Sequence, residues 1–90
     1  MAKRKEEVIT ITTRTAVRQT GLGRQVIQEC VERRLVRQPL SDADLVELRR
    51  IRRLQELGVN MPGIEVILHL RRRLQVLQAE LARRQGTTDG

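Results

Sequence analysis

The sequence predicts an all-α fold of four helices, the last of them long, with one short strand at the N-terminal edge. Three observations carry that prediction. Apolar residues recur at helical spacing through most of residues 24–81, helix-start and helix-stop residues punctuate the pattern where it breaks, and a single β-branched run stands outside it. The 90 residues include no Phe, Tyr or Trp, so the core is aliphatic. A chain of this size holds one core, and one lacking aromatic area gains further burial by self-association.

The elements follow in order. Residues 1–7 are polar and charged and read as a basic disordered leader. Val8, Ile9, Thr10, Ile11 and Thr12 form the β-branched run, a side-chain type that resists helix and suits a strand. Residues 14–20 make a helix of about two turns, with Ala16 and Val17 inward and Thr12 or Thr13 as its cap. Gly21, Leu22 and Gly23 turn the chain, and Val26, Ile27, Cys30 and Val31 then share one face of a second helix. Two helices joined by a tight glycine turn have the form of a helix-turn-helix. Leu35 and Val36 close the small core behind it.

Ser41 and Asp44 form a capping box that opens the third helix, with Asp in place of the usual Glu. Leu45, Leu48, Ile51, Leu54 and Leu57 recur every third residue and read as its core stripe, and Gly58 ends it. Asn60 caps the fourth helix and Pro62 sits in its first turn, where a missing N–H costs nothing. Gly63, Ile67, Leu70, Leu74, Leu77 and Leu81 are then spaced four, three, four, three, four, the seam of a partial coiled coil. An antiparallel second copy sets Arg73 opposite Glu80. The alternative is that this helix folds back on the third, and both hold together if Ile64, Ile67 and Leu68 pack inward while Leu74, Leu77 and Leu81 project. The tail, residues 85–90, has nothing to bury and reads as disordered, which leaves residues 8–84 as the single domain.

Catalytic equipment is not visible. His69 is the single histidine, with no cysteine or carboxylate at ligand spacing, and Gly21-Leu22-Gly23 lacks the third glycine of a nucleotide loop. Cys30 falls on the apolar face of its helix and reads as a small core side chain. No metal or other cofactor and no enzymatic activity are expected. One cysteine, no apolar run long enough to span a bilayer and no signal-peptide core after Lys3, Arg4 and Lys5 predict a cytoplasmic protein with no membrane partner. Eighteen basic against eleven acidic residues give a net charge of +7. That balance attracts polyanions, nucleic acid among them, although arginines scattered over helices also serve simply as a solvated surface.

The segment Ala16-Val17-Arg18-Gln19-Thr20-Gly21, followed by Val26-Ile27-Gln28 and Arg34-Leu35-Val36, resembles the opening of MerR-type helix-turn-helix proteins. Leu40-Ser41-Asp42-Ala43-Asp44-Leu45 resembles their third-helix start. The run from Ile51 through Asn60 with Pro62-Gly63-Ile64 is most similar to the CbpM group of co-chaperone modulators and to HspR-type regulators. The likeness covers about residues 8–84. Two departures stand out. MerR regulators hold a two-stranded wing between the second and third helices, whereas here only nine residues separate Leu35 from Leu45. Gln28, Glu29 and Cys30 stand where DNA-binding members carry Arg followed by Tyr. Without a wing, the N-terminal strand is left with an unpaired edge.

The CbpM likeness implies a modulator that binds the J-domain of a DnaJ-like co-chaperone, or its assembly with DnaK, and acts as a homodimer through the C-terminal helix. J-domains commonly present a basic face, which makes Glu29, Glu32, Asp42, Asp44 and Glu47 the candidate partner contacts and Ile67, Leu70, Leu74, Leu77 and Leu81 the self-association surface. The HspR likeness implies instead a DNA-binding regulator. Arg24, Gln25 and Gln28 would then face the major groove, and Arg33, Arg34 and Arg37 would reach phosphates.

Overall fold

The computed structural model describes the backbone of residues 11–89 and the side chains of residues 11–86. The expected leader, and Val8, Ile9 and Thr10 of the expected strand, lie outside the described residues. Four helices follow one another, α1 (Thr13–Thr20), α2 (Arg24–Glu32), α3 (Asp42–Glu56) and α4 (Met61–Asp89), so the fold is all-α as the sequence predicts. α1 packs on both α2 and α3, and α3 packs on the first turns of α4. Ala16, Ile27, Cys30, Leu48, Ile51, Ile64 and Leu68, each at most 1% exposed, form the centre of one aliphatic core.

Local chemistry sets each helix end. Thr12 caps α1 by accepting from the Thr15 N–H at 3.1 Å. At the other end Gly21 takes the left-handed conformation, φ +80°, and donates its N–H to the Val17 carbonyl. Thr20, although buried, is satisfied: its hydroxyl donates to the Ala16 carbonyl at 2.6 Å and accepts from Leu22 N–H at 3.2 Å. α2 ends in a Schellman turn, with Arg34 N–H on the Val31 carbonyl at 3.0 Å and Leu35 N–H on the Cys30 carbonyl at 2.9 Å. The residue in the left-handed position of that turn is Arg34, φ +63°, where glycine is usual.

Both halves of the capping box on α3 are present: Asp44 N–H donates to Ser41 Oγ at 3.2 Å and Ser41 N–H donates to Asp44 Oδ2 at 2.9 Å. The three-residue stripe on α3 needs one correction. Leu45, Leu48 and Ile51 are buried, but Leu57 is 78% exposed. Nine residues at about 100° each place Leu57 roughly half a turn round from Leu48, and the helix has ended at Glu56, so the drift of the stripe carries its last member out of the core.

Between α2 and α3 the chain makes a short link and, among the described residues, no wing. Leu40 in that link forms an isolated antiparallel bridge with Ile11. The edge expected to stand unpaired is therefore closed at Ile11, because the shortened link brings Leu40, buried in the core, against it. In α4, Asn60 Oδ1 accepts from Gly63 N–H at 2.9 Å, and Met61, Ile64 and Leu68 bury against α3. Ile67, expected inward, is 37% exposed. The helix also continues to Asp89, through the segment expected to be a disordered tail.

Candidate functional site

The helix-turn-helix places α2 as the helix that faces outward. With Ile27 and Cys30 buried beneath it, about 100° per residue brings Gln25, Gln28, Glu29 and Glu32 together on the opposite side. All four line one open groove with Arg33. Arg24 is exposed at the N-terminal end of α2, whose cap residue, Gly23, supplies no side-chain acceptor.

Arg33 does not stand ready for a phosphate. Its Nε donates to Glu29 Oε2 at 2.9 Å and its Nη1 donates to Glu65 Oε1 at 2.8 Å, tying the end of α2 to α4. The hydrogen bond to Glu29 is the main reason its affinity for the proton rises further above the ordinary arginine range. Arg34 and Arg37 are exposed on the link after α2, on a separate groove shared with Val31, Val36 and Gln38. The six candidate DNA contacts thus divide into Arg24, Gln25 and Gln28 on α2, Arg34 and Arg37 beyond its end, and Arg33 bound to carboxylates.

The acidic candidates divide as well. Glu29 is paired with Arg33, and Glu32 is exposed without a partner among the described residues. Asp44 is committed to the capping box. Glu47, its side chain 17% exposed, accepts from Arg50 Nη1 at 2.8 Å and lies 3.9 Å from Arg72. Only Asp42 remains exposed and unpaired at the start of α3. The five carboxylates therefore form no single patch, and the acidic surface that remains is the Glu29 and Glu32 side of α2.

Three arginine contacts were not legible in the sequence. Arg52 Nη1 donates to the Thr20 carbonyl at 3.0 Å while its Nε donates to Glu56 at 2.9 Å, so a residue of α3 caps the end of α1. The guanidinium lies where a Cβ on residue 21 would sit, a second reason for Gly21. Arg72 donates to the Leu35 carbonyl at 3.2 Å and holds α4 to the link after α2. Arg33 with Glu65 does the same about two turns earlier on α4. Each joins residues more than thirty positions apart, so no local pattern signals them.

Cys30 is fully buried, and its burial raises the thiol pKa from 9.0 to about 11, with Glu29 adding to the rise and Arg33 opposing it. Such a thiol is protonated and unreactive near neutral pH. Among the described residues no cluster of His, Cys, Asp or Glu has metal-binding geometry, and no helix is long and apolar enough to cross a membrane. Along α4, Leu70, Leu74, Leu77 and Leu81 are each more than half exposed, so the heptad seam has no partner among the described residues.

No curated protein and no solved structure matches the chain significantly. One family model does match, over residues 11–85, and its description is MerR HTH family regulatory protein. That match spans all four helices, including the helix-turn-helix and the exposed seam, and the chain belongs to the MerR family of helix-turn-helix regulatory proteins.

Proposed function

We propose that the chain is a non-catalytic, cytoplasmic modulator of a chaperone system, a homodimer joined through α4 that docks on the J-domain of a DnaJ-like co-chaperone or on its assembly with DnaK. The observation that carries this reading is the outward side of α2. In a duplex reader that side meets bases between two rows of phosphates, yet here it presents Gln25, Gln28, Glu29 and Glu32 and no wing grips the flanking backbone. In water a carboxylate about 6 Å from a phosphate costs roughly 0.7 kcal/mol. The same side suits a basic protein face. Because Asp44 and Glu47 are occupied within the chain and Glu29 is paired with Arg33, exposed Glu32 is the principal contact on this side. The unpaired carboxylate of Glu32 gives a basic J-domain face a local negative charge to meet, although the chain as a whole carries +7.

The test mixes the chain with its cognate J-protein. Co-elution as one complex, with altered stimulation of DnaK ATPase, is expected, and both effects weaken in Glu32→Lys. Independent elution with unchanged ATPase rejects the reading.

A second reading, a DNA-binding regulator, draws on the family itself, on the net charge, and on exposed Arg24, Arg34 and Arg37. A retardation assay over a salt series separates the two, because binding through several phosphates weakens steeply as salt rises.

A further inference from the structure

The exposed apolar surface of α4 is wider than a two-stranded seam requires. At about 100° per residue, Leu70, Leu74, Leu77 and Leu81 cluster round one direction of the helix, whereas Val76 lies roughly 130° away with Val66 between. Val66 and Val76 are each 57% exposed. Beside them, between the end of α2 and the first half of α4, runs an open groove of about 400 Å³ lined by Arg34, Leu35, Val66, His69, Leu70 and Arg72 among others. Through His69 and Arg72 it continues along α4 to Val76 and Leu77.

The rim of this groove is positive. Glu65, its carboxylate at the α2 end, is paired at 2.8 Å with Arg33, which it shares with Glu29, so the positive charge of the rim rests on Arg34 and Arg72. Arg72 is more than half exposed and, among the described residues, meets only the carbonyl of Leu35 at 3.2 Å and Glu47 at 3.9 Å. Arg34 is exposed and its side chain has no partner among the described residues. Its backbone is the more telling feature: φ is +63° in a turn position that glycine fills without strain. The chain keeps an arginine here, lining both this groove and the one beside Val36, at the expense of the turn. Strain of this kind, with no compensating side-chain contact among the described residues, points to a contact with a partner.

We propose that this groove docks an acidic amphipathic helix of a partner protein, whose apolar side covers Val66 and Val76 and whose carboxylates meet Arg34 and Arg72. Nucleic acid satisfies the arginines but leaves Val66 and Val76 in water. A second copy's α4 carries Arg71, Arg72 and Arg73 toward the same positive rim, which places that copy on the heptad seam instead. The inference goes beyond the co-chaperone reading and does not depend on it: the outward side of α2 faces a basic surface, and the groove behind it an acidic one.

The test uses the intact chain and two labelled helical peptides, both with Leu at every third and fourth position, one flanked by Glu and the other by Lys. Fluorescence anisotropy is expected to show binding of the Glu peptide and about tenfold weaker binding of the Lys peptide. Arg34→Gly weakens the Glu peptide about tenfold while raising the denaturation midpoint, a combination that a merely structural arginine does not give. Val66→Ser weakens it without changing the molar mass in solution. Equal affinity for the two peptides, or unchanged affinity in Arg34→Gly, overturns the proposal. So does a change of molar mass in Val66→Ser, which assigns the groove to a second copy, or duplex DNA binding lost in Arg34→Gly with no peptide bound.

Discussion

Replacing Gly21 by Ala tests how the turn of the helix-turn-helix is held. Two independent costs fall on that residue. The backbone sits at φ +80°, where an L side chain costs about 1 kcal/mol. The new Cβ also occupies the place of the Arg52 guanidinium, so the hydrogen bond from Arg52 Nη1 to the Thr20 carbonyl is lost. A buried charged hydrogen bond contributes roughly 1.5–3 kcal/mol. The Arg52 side chain is 47% exposed, and water competes for both groups, so about 1 kcal/mol is the fitting figure. The sum is about 2 kcal/mol, which lowers the melting midpoint of a domain this size by about 8–16 °C.

The assay is a urea or thermal melt of wild type, Gly21→Ala, Arg52→Ala and the double variant at one protomer concentration, because the proposed dimer makes stability depend on it. In the Arg52→Ala background only the backbone cost remains, about 1 kcal/mol, and the cycle yields a coupling of about 1 kcal/mol. The pair of Arg52 with Glu56 is absent from both arms of that background and cancels. Equal costs in the two backgrounds would refute the claim that the glycine makes room for the arginine.

Three further outcomes follow from the same structure. Leu48→Ala, at a fully buried position, costs about 2–5 kcal/mol, while Leu57→Ala changes stability by less than about 0.5 kcal/mol; comparable losses in denaturant melts contradict the assignment of Leu57 to the surface. Leu74→Glu combined with Leu77→Glu, both more than half exposed, lowers the molar mass in light scattering to that of one chain, and an unchanged mass removes the seam as a self-association surface. The Cys30 thiol, raised from 9.0 to about 11 in the fold, keeps its proton where the unfolded chain loses it; its contribution is complete below pH 9 and is lost as pH rises to about 11, by about 3 kcal/mol. Cys30→Ala flattens that part of the stability curve, and identical slopes in the two proteins discount the thiol.

Much of this architecture follows from the sequence alone. Capping residues act on backbone groups within one turn of themselves, so Thr12, Ser41 with Asp44, and Asn60 start their helices where a local reading places them. Gly21 and Gly58, both at positive φ, end theirs for an equally local reason. The helix-turn-helix and the heptad seam are legible too, because each is a periodic pattern of side chains along one helix.

What only the tertiary structure decided concerns contacts between segments distant in the chain. The candidate carboxylates and arginines look equivalent in sequence, yet Arg33 is spent on Glu29 and Glu65, Glu47 on Arg50, and Asp44 on its own helix start, leaving Glu32 and Arg34 exposed. A side chain's charge is written in the sequence, but whether that charge is available depends on which opposite charge the packing of α2, α3 and α4 brings within hydrogen-bonding distance.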